Sequence, residues 1–164
     1  MNKIKRLITW AEVLAWIGLI LSLSGESFGS AQTLAVLKYC VDFLHLPISP
    51  AALPTVNTAI RKAAHFTEFF VLGLLLSRAL LGNLKEFRSK AAWWVAAVGL
   101  LCALGDEAHQ MLFVSRTPSL RDSFLDFSGV LASQLFLFLR SRFSQAALIS
   151  SGSEKTSATP EELP

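Results

Sequence analysis

The chain has 164 residues, of which 52% are hydrophobic and only 16% charged, and its mean hydropathy is +0.49. That is too apolar for an ordinary soluble domain and too long for a single anchor, so the bulk numbers predict a small polytopic membrane protein. The net charge of +3 comes from basic residues gathered in short clusters beside apolar runs. Such clusters act as orientation signals and not as a nucleic-acid surface, so nucleic acid is excluded as a partner and the lipid bilayer takes its place.

A spanning helix needs ~20 mostly apolar residues, because each adds about 1.5 Å against a hydrocarbon core of roughly 30 Å. Four segments meet this length, some only with their polar ends included, and they predict an all-α bundle of four transmembrane helices. The first covers 7–23, "LITWAEVLAWIGLILSL", behind Lys3, Lys5 and Arg6. Those cations and the small residues of "SFGSA" also fit a secretory signal peptide, and on either reading the next span starts outside. Between spans one and two, "SAQTLAVLKYCVDFLHL" places Leu34, Leu37, Val41 and Leu44 at helical spacing opposite Lys38 and Asp42. This predicts a short amphipathic helix on the outer membrane face. Pro47, Pro50 and Pro54 then predict an extended lead-in to the second span at 64–81.

Lys85, Arg88 and Lys90 separate that span from the third, at 91–113, and Arg140 and Arg142 follow the fourth, at 123–139. With the N-terminal cluster, these positions place both termini in the cytoplasm. Lys38, Arg61, Lys62, Arg116 and Arg121 run against that assignment, which leaves the charge rule moderately decisive. Residues 1–142 form the membrane domain, and 143–164, ending in "SSGSEKTSATPEELP", are expected to be a disordered cytoplasmic tail. Cys40 and Cys102 fall at different depths, which argues against a disulfide.

Ionisable residues interrupt this apolar pattern near one end of three spans. Asp106 lies sixteen residues beyond Lys90 and His65 sixteen residues before Leu81, each ~24 Å along a helix, while Asp126 lies fourteen residues from Arg140, or ~21 Å. All three reach a similar depth beneath the outer boundary. Arg61, His65 and Glu68 form one stripe of span two; Asp106, His109 and Gln110 share a face of span three; Asp122, Asp126, Gly129 and Ser133 do so on span four. Glu107 points about 100° away from Asp106, so one acid should meet arginines and the other the outer turn. Four cations (Arg61, Lys62, Arg116, Arg121) face five acids (Glu68, Asp106, Glu107, Asp122, Asp126), so the cluster is nearly self-neutralising. A charged group at mid-membrane costs roughly 2.5–3.5 kcal/mol on insertion scales, which means these groups must face each other or water. Elsewhere, Glu12 reads as a packing contact, Arg78 as a snorkelling cation and His45 as a solvated loop residue.

The segments "IRKAAHFTEFFVLGLLL", "GDEAHQMLF" and "SRTPSLRDSFLDFSG" together resemble the VanZ-like family of small bacterial membrane proteins. The matching residues are Arg61, Lys62, His65, Phe66 and Glu68, then Asp106, Glu107 and Gln110, then Arg116, Ser119, Asp122 and Gly129. Ser22, Ser24, Ser27 and Ser30 resemble the family's serine-rich exit from its first helix, and the resemblance covers about residues 7–140. Asp126 departs from it, standing where the resemblance leads one to expect Asn. The family name, from a teicoplanin-resistance trait, implies a place in the bacterial cytoplasmic membrane and a link to the cell envelope. It does not supply a biochemical activity.

Three functions suit these residues. The first is binding or processing of an envelope lipid or glycan headgroup, with Arg61, Lys62, Arg116 and Arg121 as anion partners and His65, Glu68, Asp106 and Asp122 as candidate catalytic groups. In the second, His65, Glu68, Asp106, Glu107 and His109, with Asp122 or Asp126, hold a divalent cation. Proton movement through the same groups is the third, and would call for an oligomer in so short a chain. Against all of them stands a purely structural ion-pair network. No phosphate-binding glycine loop or nucleophile elbow appears, so the sequence leaves open whether the protein is an enzyme.

Overall fold

A computed structural model describes residues 2–25, 29–84, 87–113 and 119–156, with side chains described to Gln145. Five helices follow in chain order: α1 Lys3–Leu23, α2 Ser30–Phe43, α3 Leu53–Leu81, α4 Ser89–Gln110 and α5 Leu120–Thr156. Among the described residues there is no strand. α1, α3, α4 and the Leu120–Gln145 part of α5 are long and apolar enough to cross a membrane. The expected all-α bundle of four spanning helices is therefore the observed architecture, and α2 is the short additional helix.

α1 starts under a side-chain cap, with the Lys5 amide donating to Asn2 Oδ1 at 2.9 Å. α2, whose Val41 is buried, packs against α3, and Asn57 Nδ2 of α3 donates to the Ser30 carbonyl at 3.2 Å. Leu44, assigned above to the apolar stripe of α2, caps the helix end and is exposed. α3 begins well before residue 64 because Pro54 occupies its first turn, where a missing amide proton costs nothing. The extended lead-in is correspondingly shorter. Gly82 closes α3 at φ 77°, a left-handed cap that glycine adopts without a Cβ clash. α5 continues to Thr156, past residue 143 where the composition turns polar, because Gln145, Ala146, Ala147 and Leu148 favour helix and no proline intervenes.

α3 is central and touches each of the other four helices, most extensively α5. Its Phe69, Leu72, Leu76 and Ala79 meet Val13 and Ile20 of α1, Val95 and Ala103 of α4 and Val130 of α5 in one apolar core. Close approach depends on glycine. A Cβ on Gly129 would strike the Phe66 carbonyl oxygen and lie 3.0 Å from the Phe70 nitrogen, and one on Gly99 would lie 2.7 Å from a Val130 methyl. Small residues at such crossings let membrane helices make van der Waals contact where no hydrophobic drive exists between them. Glu12 and Arg78, taken separately from the sequence, pair at 3.1 Å and join α1 to α3 toward the opposite end of the bundle.

Candidate functional site

The connectivity brings the end of α1, the first half of α3, the end of α4 and the start of α5 to one end of the bundle. The polar residues gather there. Asp106 is 1% exposed, and its Oδ2 accepts hydrogen bonds from Ser24 Oγ at 2.9 Å and Gln110 Nε2 at 2.8 Å. It therefore meets a serine of α1 and not an arginine. Glu107, also buried, accepts from the backbone amide of Ser119 at 2.8 Å, which fixes the approach to α5. Of the two adjacent acids, Glu107 is thus the one that meets the turn.

His65 stands between two carboxylates, its Nδ1 lying 3.7 Å from Asp126 Oδ1 and 3.9 Å from Glu68 Oε2. Asp126 is 1% exposed. The backbone carbonyl of Glu68 accepts from Trp16 Nε1 at 2.9 Å, so α1 also braces the turn of α3 that carries this pair. One donor atom each from His65, Asp106 and Asp126 lies within 4.8 Å of the others. At the surface Lys62 Nζ pairs with Asp122 Oδ1 at 3.3 Å, both side chains being substantially exposed.

Beside these groups is a cavity of about 110 Å³, bordered by Thr58, Arg61, His65, Glu107, Gln110 and Asp126 with the Lys62–Asp122 pair. Arg61 lines it without a hydrogen bond or ion pair to any described residue. A second, apolar cleft of about 230 Å³ opens between α1, α3 and α4, lined by Ile17, Ile20, Phe69 and Cys102 and reached by Asp106 and His109. Gln110 borders the polar cavity, and Asp106, to which it donates a hydrogen bond, borders the apolar cleft.

Several candidate residues fall elsewhere. His109 stacks edge-on against Phe113 at 5.1 Å and turns into the apolar cleft, so it stands apart from the His65, Asp106 and Asp126 group. Glu107, which accepts from the Ser119 amide, also lies outside that group. Arg121 is exposed and does not border the polar cavity. Arg116 and Ser27 lie outside the described residues. Ser24 and Thr58 enter the site without having been assigned to it. The serine-rich exit of helix one was a signal for Ser24, whereas Thr58 sits in the stretch taken as lead-in and had none. A deeper polar contact, Gln134 Nε2 donating to Ser77 Oγ at 3.1 Å and Ser133 Oγ at 3.0 Å, ties α5 to α3 and lies outside the cavity lining.

A search of curated proteins finds no match, and a search of solved structures finds none either. The VanZ/LLP1 family model matches residues 9–141, from the first turns of α1 through the spanning part of α5. That match covers all four spanning helices and the polar end they share, and the chain belongs to the VanZ-like family of membrane proteins.

Proposed function

We propose that this protein binds the anionic headgroup of an envelope lipid or lipid-linked glycan precursor, at the outer side of the bacterial cytoplasmic membrane, with both termini in the cytoplasm. The observation that supports it most is Arg61. Of the acids around the cavity, Glu107 is held by the Ser119 amide, Asp122 pairs with Lys62 and Asp126 faces His65. The charge left uncommitted at the wall is a guanidinium, whose planar fork suits a phosphate or carboxylate. His65, between Glu68 and Asp126, is the group placed to transfer a proton if the bound headgroup reacts.

The test is lipid retention by the purified full-length protein, followed by native mass spectrometry with phosphatidylglycerol, a short-chain prenyl phosphate and phosphatidylcholine. Replacing one charged hydrogen-bond partner costs about 1.5–3 kcal/mol, so Arg61→Ala should weaken the two anionic probes by roughly ten- to a hundredfold. Phosphatidylcholine retention should not change. A structural ion-pair network predicts instead that Arg61→Ala leaves all three probes alike, with any loss appearing only in thermal stability.

A further inference from the structure

We propose that His65, Asp106 and Asp126 hold a divalent transition-metal ion beside the polar cavity, whose wall His65 and Asp126 form in part. Their donor atoms come from three different helices, α3, α4 and α5, and lie within 4.8 Å of one another. Ligands sharing one ion through bonds of ~2.1 Å stand roughly 3–4.2 Å apart, so small side-chain adjustments close this set around a metal.

A second observation, independent of the spacing, is an unmet need for a cation. Asp106 and Asp126 are each 1% exposed, and in each the Oδ1 atom has no hydrogen-bond donor. Asp126 Oδ1 faces His65 at 3.7 Å, too far for a hydrogen bond. In Asp106 the other oxygen, Oδ2, takes both available donors, Ser24 and Gln110, which fixes the carboxylate and leaves Oδ1 unsatisfied. A buried carboxylate oxygen without a donor is costly, and a metal ion removes that cost. Holding a ligating carboxylate by hydrogen bonds to its second oxygen is also how metal sites orient their ligands.

The donor set determines the ion class. Two carboxylates with one imidazole suit Mn²⁺ or Zn²⁺ better than Mg²⁺ or Ca²⁺, which favour all-oxygen shells. Three protein ligands leave coordination positions open toward a cavity that Arg61 also lines. Of the set expected from sequence, His65 and Asp106 remain and Asp126, one of the two optional acids there, joins them, whereas Glu68 and Glu107 fall outside the group and His109 lies in the apolar cleft. The ion would also offset the acids that otherwise repel an anionic headgroup, but its binding does not rest on that reading.

Isothermal titration of metal-free protein with MnCl₂ and ZnCl₂, without added lipid, tests the site. Wild type should bind one ion saturably, and chelation should lower its melting temperature. Asp126→Asn and His65→Gln should each weaken binding by more than the ~10–100-fold typical of residues that only support a ligand, while the chelated variants keep the elution profile of chelated wild type. If either variant does not fold, Ser24→Ala, which leaves all three ligands in place, should weaken binding about tenfold. Absence of saturable binding by wild type, or unchanged binding in Asp126→Asn, overturns the site. Lipid retention by wild type and Arg61→Ala in the presence of chelator reports on the headgroup reading separately.

Discussion

Gly129→Ala is the most informative packing change, because it adds one methyl at the crossing that sets the site's width. The new Cβ would meet the Phe66 carbonyl oxygen and would stand 3.0 Å from the Phe70 nitrogen and 3.3 Å from the Phe66 carbonyl carbon. All three are backbone atoms of α3, so no side-chain rotation relieves the clash. Restoring ordinary contact at ~3.5–4 Å requires α3 and α5 to separate by on the order of an ångström. Overpacking of this kind costs typically 1–3 kcal/mol. The same displacement carries His65, next to Phe66, away from Asp126, three residues before Gly129. Gly105→Ala is the matched control, since its Cβ would meet nothing within 4 Å, and its effect should stay within ~1 kcal/mol of wild type. Thermal unfolding in a single detergent compares the two variants. Equal melting temperatures would refute the claim that a glycine contact governs the α3–α5 distance.

Other substitutions separate structural from surface roles. Ser24→Ala removes one of two donors to buried Asp106 and should cost about 1.5–3 kcal/mol in unfolding free energy, whereas an unchanged transition would mean that α1 does not brace the site. Lys62→Ala breaks an exposed pair with Asp122 and should change stability by less than ~1 kcal/mol, measured by the same melts. Arg121→Ala, at an exposed position beyond the cavity lining, should leave retention of phosphatidylglycerol at the wild-type level in native mass spectrometry.

The parts of this protein legible in its sequence are those governed by a single physical rule. Hydropathy and length located four spans, because the bilayer permits few alternatives to a helix of about 20 residues. Helical rise alone put His65, Asp106 and Asp126 at similar depth, and among the described residues it is their donor atoms that converge. The i, i+4 spacing of Asp106 and Gln110 likewise anticipated a shared face, and they are hydrogen-bonded. Features that depend on how helices rotate about their axes were less accessible. Asp106 and His109 share a face by spacing, yet His109 finds Phe113 and the apolar cleft, a choice made by tertiary packing. Helix boundaries also shifted where proline has two meanings, since Pro54 opens α3 and does not hold off its start. Ser24 escaped the depth count because it lies past the apolar run of span one, even though it supplies a hydrogen bond from a fourth helix.

In the proposed function, the polar end of the bundle receives an anionic headgroup through Arg61. An experimental structure of the full-length protein with a short-chain prenyl phosphate tests this most directly. The prediction is phosphate density in the cavity within hydrogen-bond distance of the Arg61 guanidinium and adjacent to His65. Density for the probe only along the outer apolar faces of the helices, with Arg61 folded onto one of the site's own carboxylates, would contradict it.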